Sequence, residues 1–184
     1  GPDEMEYVKR RITDLGQLEF RITADPNLPK DRPIIEQARR LPPSQKSLTV
    51  GGNRAAEWIA YDVDEFGPPD QTDRIVARMA GDTPEALVLI DPWNVTGEYL
   101  TSATKGLDDR GGPAVHFSFD REGARRFRQL TSQNKPNPAT PNVYRNLGII
   151  LDKTLISAPR IETTISDRGM ISGGSMTDKE VDHV

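Results

Sequence analysis

The sequence contains no cysteine and only two histidines. Without cysteine the chain can form neither a disulfide bond nor a thiolate metal site. A zinc site needs three or four ligands at suitable spacing, and neither His116 nor His183 has such ligands near it in the sequence. We expect both histidines to have structural or solvent-facing roles, and neither to serve a nucleophilic triad.

Long apolar runs and an excess of positive charge are also absent. No apolar run approaches the roughly 20 residues that a membrane-spanning helix needs. The net charge of −4 argues against a general nucleic-acid-binding protein, which is normally basic. The glycines form no phosphate loop and no dinucleotide fingerprint, so the sequence predicts no bound cofactor. Because Gly1-Pro2 leads directly into an acidic helix pattern, we expect a soluble piece of a longer protein.

The spacing of apolar residues predicts an α+β fold with mostly antiparallel sheets and packed helices. Strands are predicted at residues 18–24, 56–63, 74–80, 85–90, 114–119, 163–165 and 170–172. Helices are predicted at residues 3–15, 34–40 and 120–131, and a capping box of Thr177 and Glu180 predicts the start of a final helix. Residues 41–54 and the proline-rich residues 132–146 are predicted loops, and we expect the second loop to be mobile.

An acidic segment offers one candidate site. Four of its carboxylates fall at positions 1, 3, 9 and 12 of a calcium-loop frame, and they are Asp62, Asp64, Asp70 and Asp73. Position 6 is Gly67, as the frame requires, but position 5 is Phe66, where an oxygen ligand is expected. The simpler interpretation is a solvated acidic turn. The alternative function is a periplasmic or extracellular hydrolase domain that uses this acidic cluster.

A basic helix face offers a second candidate. Arg121, Arg125 and Arg128 recur at the i, i+4, i+7 spacing that places side chains on one face of a helix. This face could contact phosphate or an acidic lipid. More often such a run is the solvated side of a helix whose other side packs into the core.

The order of motifs after residue 96 points to a family. The strand "VHFSFD" is followed by "EGARRF", then by "LDKTLISAPRI" and "MISGG". This order resembles the first extracytoplasmic domain of SecD, the accessory subunit of the bacterial Sec protein-export channel. In that family a V-x-F-x-F/L-D strand precedes a helix with E-G-A-x-x-F and a strand-turn-strand that ends in I-S-A-P-x-I. The resemblance is close from Thr96 to Gly174 and weak before it, and Lys153 replaces the usual turn glycine.

The resemblance suggests that residues 147–151 and 155–158 pair as a β-hairpin. Asp152 and Thr154 would supply the turn, and Pro159 would end the second arm because it lacks an amide donor. From the periodicities we expect this hairpin and residues 114–119 to share one sheet, covered by the helix that carries Phe127 and Leu130. A structural role explains "ISAPRI" best, and a hydrophobic strip that holds an unfolded chain is the alternative.

The resemblance also implies an organisation and a set of motif residues. It implies a leading base-like part at residues 1–95, a head-like part at residues 96–175 and the start of a truncated helix at residues 176–184. It implies no catalytic or metal-binding residue. The motif residues that it carries over, all with structural roles, are Phe119, Glu122, Gly123, Phe127, Asp152, Ser157, Ala158, Pro159 and Gly173.

The function that the resemblance implies is binding and force transmission, not catalysis. SecD-like proteins lie in the inner membrane, and this domain would lie on the periplasmic side. It would bind emerging unfolded preprotein and transmit movement during translocation driven by the proton gradient. The implied partners are SecF, the Sec translocon channel and unfolded preprotein, with no nucleic acid among them.

Overall fold

Two β-sheets and three α-helices make up the structure, a computed structural model that describes residues 18–140 and 142–179. The strands are β1 Leu18–Ile22, β2 Ser47–Val50, β3 Asn53–Tyr61, β4 Ala77–Ala80, β5 Thr83–Leu89, β6 Val95–Thr96, β7 Leu100–Leu107, β8 Pro113–Phe119, β9 Leu147–Leu151, β10 Thr154–Ser157, β11 Arg160–Ile161, β12 Arg168–Ser172 and β13 Ser175–Asp178. The helices are α1 Arg32–Arg39, α2 Val63–Phe66 and α3 Arg121–Ser132, and a short 3-10 helix covers Gly97–Tyr99.

The larger sheet, called here the large sheet, has eight strands. Their order is β4-β5-β3-β10-β9-β1-β6, with β2 also paired to β3. The small sheet has five strands in the order β11-β13-β12-β8-β7. Neighbouring strands are antiparallel except for the pairs β3–β10 and β11–β13, which are parallel. The predicted α+β class with mostly antiparallel sheets is therefore confirmed.

The predicted hairpin is confirmed as β9 and β10, and it lies in the middle of the large sheet. β9 pairs with β1 and β10 pairs with β3, so every residue of β9 is buried. Asp152 and Lys153 have φ angles of 50° and 67°, and positive φ at both central residues is the mark of a type I′ turn. The expected role of Thr154 in the turn is wrong, because Thr154 is already the first residue of β10.

The expectation that residues 114–119 share a sheet with this hairpin is wrong. These residues belong to β8, which pairs with β7 and β12 in the small sheet. Alternation in a strand shows that one face is buried, but it does not show which strands lie beside it. The expected helix is confirmed as α3, and its fully buried Phe127 and Leu130 share one core with residues of both sheets.

Three further local predictions fail, each for a simple reason. Residues 41–54 contain β2, an edge strand that pairs with β3 through a turn at Gly51-Gly52 and has no clear apolar alternation. Residues 163–165 form no strand, since Ile165 is a single buried residue whose amide donates to Thr131 Oγ1 at 2.9 Å. Thr177 lies in β13 and starts no helix.

The structure does not test two further predictions. The expected helix at residues 3–15, as well as Glu180 and His183, lies outside the described residues. The loop before β9 contains no helix or named strand in its described part, and its mobility stays a prediction. Its last residues are held in place, because the side chain of Arg145 is 8% exposed.

Candidate functional site

Within the described residues, the chain passes between the two sheets at three places, and these crossings form the candidate functional site. The first crossing is Gly97–Tyr99, between β6 and β7. The second crossing runs from residue 120 to residue 146 and contains α3. The third crossing is the Ala158-Pro159 step between β10 and β11. Most of the family-motif residues lie in or beside these crossings.

The third crossing is held by hydrogen bonds that its carbonyl oxygens accept from residues at the start of β9. The carbonyl oxygen of Pro159 accepts from the amide of Leu147 at 2.9 Å. The carbonyl oxygen of Ala158 accepts from Nδ2 of Asn146 at 2.6 Å. β10 ends at Ser157, and Pro159 itself has no amide with which to extend the ladder. The motif Ser157-Ala158-Pro159 is thus the place where the chain leaves the large sheet for the small one.

The start of α3 packs closely against the first crossing. Asp120 caps the helix, accepting a hydrogen bond from the amide of Gly123 at 2.8 Å. A Cβ atom at Gly123 would lie 2.4 Å from Cβ of Tyr99 and 2.9 Å from Cδ1 of Phe119. No side chain larger than that of glycine fits there without movement. The rings of Phe119 and Phe127 lie 4.8 Å apart behind this contact.

Arg126 joins α3 to the segment before the first crossing. Its Nη1 donates to the carbonyl oxygen of Trp93 at 2.6 Å, and its Nε donates to Oε1 of Glu122 at 2.9 Å. Its guanidinium also lies 5.0 Å from the centroid of the Tyr99 ring. The sequence offered a weak signal for this residue, namely the i, i+4 spacing between Glu122 and Arg126.

Glu122 is an acceptor shared between two arginines. Nη2 of Arg125 donates to Oε1 of Glu122 at 2.6 Å, beside the bond from Arg126. These charged hydrogen bonds, first from Arg125 and then from Arg126, lower the pKa of the Glu122 carboxyl from 4.5 to about 2. The carboxylate therefore keeps its charge at any pH near neutrality and holds both guanidinium groups on α3.

A buried ion pair that the sequence did not reveal fixes the end of the second crossing. Arg145 donates from Nη1 to Oδ2 of Asp31 at 2.5 Å and from Nη2 to Oδ1 at 2.8 Å. The main chain of Arg145 also accepts a hydrogen bond from the amide of Ile161 in β11 at 2.9 Å. One residue of the second crossing thus connects the N-terminus of α1 with β11 of the small sheet. No sequence pattern indicates a pair that is 114 positions apart.

A cleft of about 410 Å³ lies beside the third crossing. It is lined by residues 23–27, residues 73–75, Asn146, Ala158, Arg160 and the Gly173–Gly174 turn. Gly173 has a φ angle of 56°, a conformation that glycine adopts readily in the tight turn between β12 and β13. The walls come from the segment after β1, the segment before β4, and β11 with the β12–β13 turn, so a change in the relative orientation of the two sheets would change the shape of the cleft.

The acidic segment does not form a metal site. Asp62 caps the short helix α2, accepting a hydrogen bond from the amide of Asp64 at 3.0 Å. Asp73 lines the cleft beside Arg74. Among the described residues no group of three or more histidine, aspartate or glutamate side chains is arranged to hold a metal ion.

The two remaining candidates are the basic face of α3 and His116 in the small sheet. Arg121, Arg125 and Arg128 are exposed and line an open groove beside Ser166 and Asp167. Both interpretations of this basic face stay open. His116 lies in β8, where its Nε2 is 3.1 Å from the carbonyl oxygen of Leu107.

Comparison with known proteins identifies one family. The family described as SecDF, P1 head subdomain, matches residues 73–184. The protein translocase subunit SecD of Aquifex aeolicus is 40% identical over 79 residues, which cover 43% of this chain and 14% of that protein. The SecD subunit of Acetobacter pasteurianus is 30% identical over 184 residues, which cover 97% of this chain and 33% of that protein. The chain therefore spans a third or less of the length of these two relatives.

Two solved structures are also similar to the chain. One is a crystal structure of SecDF in a super-membrane-facing form, with 24% identity, a TM-score of 0.42, and coverage of 86% of this chain and 17% of that one. The other is SecDF described as a membrane component that enhances protein export, with 22% identity, a TM-score of 0.43, and coverage of 99% and 66%. No helix within the described residues is long and apolar enough to cross a membrane. The relatives are translocase subunits, so the hydrolase alternative gains no support.

Proposed function

The chain belongs to the SecDF family, with the P1 head subdomain at residues 73–184, and from this premise we propose that it binds unfolded preprotein and transmits movement during translocation. The movement is driven by the proton gradient through other parts of the full-length protein. The domain lies on the extracytoplasmic side of the inner membrane, carries out no catalysis, and works with SecF and the Sec channel. The division into a base-like part before residue 96 and a head-like part after it is part of the same proposal, although the family match to the head begins at residue 73.

The junction of the two sheets is the observation that carries this proposal. The second crossing is fixed near its start and at its end by two arginines whose side chains reach other segments, Arg126 to Trp93 and Arg145 to Asp31. The guanidinium of Arg126 also lies against the ring of Tyr99 in the first crossing. The third crossing is fixed by the carbonyl oxygens of Ala158 and Pro159, which accept from the side chain of Asn146 and the amide of Leu147. Because the sheets are joined by several bonded connections, a displacement of the small sheet is passed on to the large sheet. Such coupling is what a module that transmits movement requires.

Binding is tested by titrating a reduced, permanently unfolded export precursor against this domain, with the folded precursor as control. Unfolded polypeptide should bind with a Kd of about 1 μM or weaker, because a module that holds many sequences cannot depend on specific buried polar contacts. The folded precursor should not bind. Equal binding of both forms, or no binding of either, would reject the proposal.

The transmission of movement is tested separately, by substitution of two neighbouring arginines. Arg125 and Arg126 both bond to Glu122, but only Arg126 has a hydrogen bond to Trp93 among the described contacts. In a full-length subunit that carries these residues, Arg126→Ala should slow precursor export while the domain still binds unfolded polypeptide. Arg125→Ala is the matched control and should leave export unchanged. Equal export by the two variants would argue against transmission through this crossing.

A further inference from the structure

One ring nitrogen of His116 is buried and has no hydrogen-bond partner in the described part of the chain. This atom is Nδ1, whereas Nε2 lies 3.1 Å from the carbonyl oxygen of Leu107. A carbonyl oxygen can only accept, so Nε2 carries the hydrogen of this contact. Buried polar atoms without a partner are uncommon in proteins. The least costly state of this ring is the neutral imidazole with its proton on Nε2, because Nδ1 then needs no acceptor.

The neighbouring strands hold the imidazole in a defined place. A Cβ atom at Gly106 would lie 2.8 Å from Cδ2 of His116 and 3.1 Å from its Nε2. The ring therefore lies across the position that a side chain of residue 106 would occupy. Thr104 of β7 and Met170 of β12 are opposite His116 in the sheet. Both are uncharged, and neither bonds to Nδ1.

Asp108 is the charged residue that follows the contact along the chain. Its carboxylate accepts hydrogen bonds from Oγ of Ser172 and from the amides of Gly112 and Arg110. These bonds, the one from Ser172 first, hold the pKa of the Asp108 carboxyl below its ordinary value of 3.8. The carboxyl is therefore ionised throughout the range above about pH 5, and its charge is constant where a histidine titrates.

Two other charged residues lie on the strands beside His116. Arg168 of β12 lies opposite Ser118, which places it on the same side of the small sheet, and it takes part in another interaction. Lys105 of β7 lies opposite Val115 and so points to the other side of the sheet. Neither cation loses its charge between about pH 5 and about pH 8. His116 is thus the titratable group of this neighbourhood, within the described residues, that can change its charge in that range.

The turn that His116 holds is joined to a second turn. The amide of Asp108 donates to the carbonyl oxygen of Gly112 at 2.8 Å and closes the β7–β8 turn. The bond from Ser172 to Asp108 connects this turn to the end of β12. Directly after Ser172 comes the Gly173–Gly174 turn, which lines the cleft between the sheets. A loosening at Leu107 therefore reaches one wall of the cleft through two bonded turns.

We propose that the contact between His116 and Leu107 is a pH-sensitive latch that holds the β7–β8 turn closed. When the ring is neutral, it lies over Gly106 and donates to the carbonyl oxygen of Leu107. A proton added at Nδ1 would place a charged N–H donor in a buried position without an acceptor, which is costly. The charged ring therefore turns out to water, and the contact is present at high pH and lost as the pH falls. This inference goes beyond the proposed function, because it concerns a response of the chain to pH and not the binding of preprotein.

The protonation state of the ring is tested by nitrogen NMR at about pH 8. The sequence has only two histidines, so His183→Gln leaves a single imidazole and is the reference chain for both tests. The signals of His116 in this chain should show the proton on Nε2. A proton on Nδ1 would overturn the inference, because the contact with Leu107 would then lack its donor.

The response to pH is tested by amide hydrogen exchange. The protection factor of the Asp108 amide, taken against an unstructured peptide at the same pH, should fall about fivefold between about pH 8 and about pH 5, as expected for one lost hydrogen bond. His116→Gln in the same background should show no such fall. Gly106→Ala is a second variant, because its Cβ displaces the ring, and it should also remove the response. The amide of Leu147, which bonds to Pro159 far from the latch, should keep its protection.

Each result decides for or against the latch. A fall confined to the β7–β8 turn and absent from both variants supports it. Equal protection of Asp108 at the two pH values overturns it, and so does an equal fall in His116→Gln or in Gly106→Ala, since another group would then be responsible. A parallel fall at Leu147 shows that the whole fold loosens, which also overturns it. None of these results bears on the binding of unfolded preprotein, so the proposed function stands or fails separately.

Discussion

Arg145 and Asp31 form a two-bond ion pair that joins the end of the loop before β9 to the N-terminus of α1. The two side chains are 8% and 2% exposed. A third donor, the amide of Asp25, reaches the same carboxylate at 2.9 Å. Removing one partner of a buried pair leaves the other charge without compensation, which is the main reason why such changes are costly.

Asp31→Asn should therefore lower the free energy of unfolding by about 3 kcal/mol or more. Urea denaturation of the domain measures this loss directly. Glu36→Gln is the matched control, since Glu36 is an exposed carboxylate on the same helix, and it should change stability by less than about 0.5 kcal/mol. A loss for Asp31→Asn as small as that for the control would show that the pair does not stabilise the junction.

Phe127 is fully buried between the sheets and touches phenylalanine rings on both sides. Its ring lies 5.5 Å from that of Phe20 in the large sheet and 5.9 Å from that of Phe117 in the small sheet. Phe127→Ala should lower the free energy of unfolding by roughly 3–5 kcal/mol, because it leaves a cavity in the shared core. Phe127→Leu keeps most of the volume and should cost less than half as much. Similar losses for the two variants would contradict the described packing.

Lys153 is a residue whose replacement should stabilise the protein. Its φ angle of 67° is strained for a residue with a Cβ atom, and glycine relieves that strain. Its ion pair with Glu19, at 3.5 Å, belongs to a side chain that is 76% exposed and contributes little. Lys153→Gly should raise the free energy of unfolding by about 1 kcal/mol. Lys153→Ala removes the charge and keeps the backbone strain. If both variants raised the free energy of unfolding equally, the loss of the charge and not the relief of strain would be the cause.

Glu122 should titrate far below an ordinary glutamate. Its pKa in the folded protein is about 2, lower than the 4.5 of the unfolded chain, so its contribution to stability is complete above pH 4.5. That contribution is lost as the pH falls through about 2, because protonation then releases Arg125 and Arg126. The carboxyl carbon shift of Glu122, followed by NMR from pH 6 downward, measures the midpoint. Arg125→Ala should move the midpoint toward 4.5, and a midpoint near 4.5 in the unaltered domain would refute the shared contact.

Local periodicity predicted the elements well where one face of a strand or helix meets the core. Phe20 and its neighbours in β1, Phe117 and Phe119 in β8, and Phe127 in α3 follow the expected spacing. The assignment of β8 to the wrong sheet has a physical cause. Phe117 and Phe119 do pack against α3, as expected, but α3 contacts residues of two sheets in one shared core. Helix packing alone cannot distinguish those sheets.

The candidate site was less predictable than the fold. The motif residues Ser157, Ala158 and Pro159 signalled the end of a strand, and they could not signal that the next strand lies in another sheet. The ion pair of Arg145 with Asp31 depends on tertiary structure alone, since its two residues share no local pattern. Edges are equally hard to predict, because an exposed strand such as β7 or β2 has little apolar alternation.

The position of the β9–β10 hairpin between β1 and β3 sets the order in which the large sheet can assemble. During synthesis from the N-terminus, β1 and β3 emerge long before residues 147–157, which lie between them in the finished sheet. Until then both strands have open edges, and the centre of the sheet has no partner strands to close it. The large sheet therefore cannot be completed until residues 147–157 have been synthesised, however early its other strands emerge.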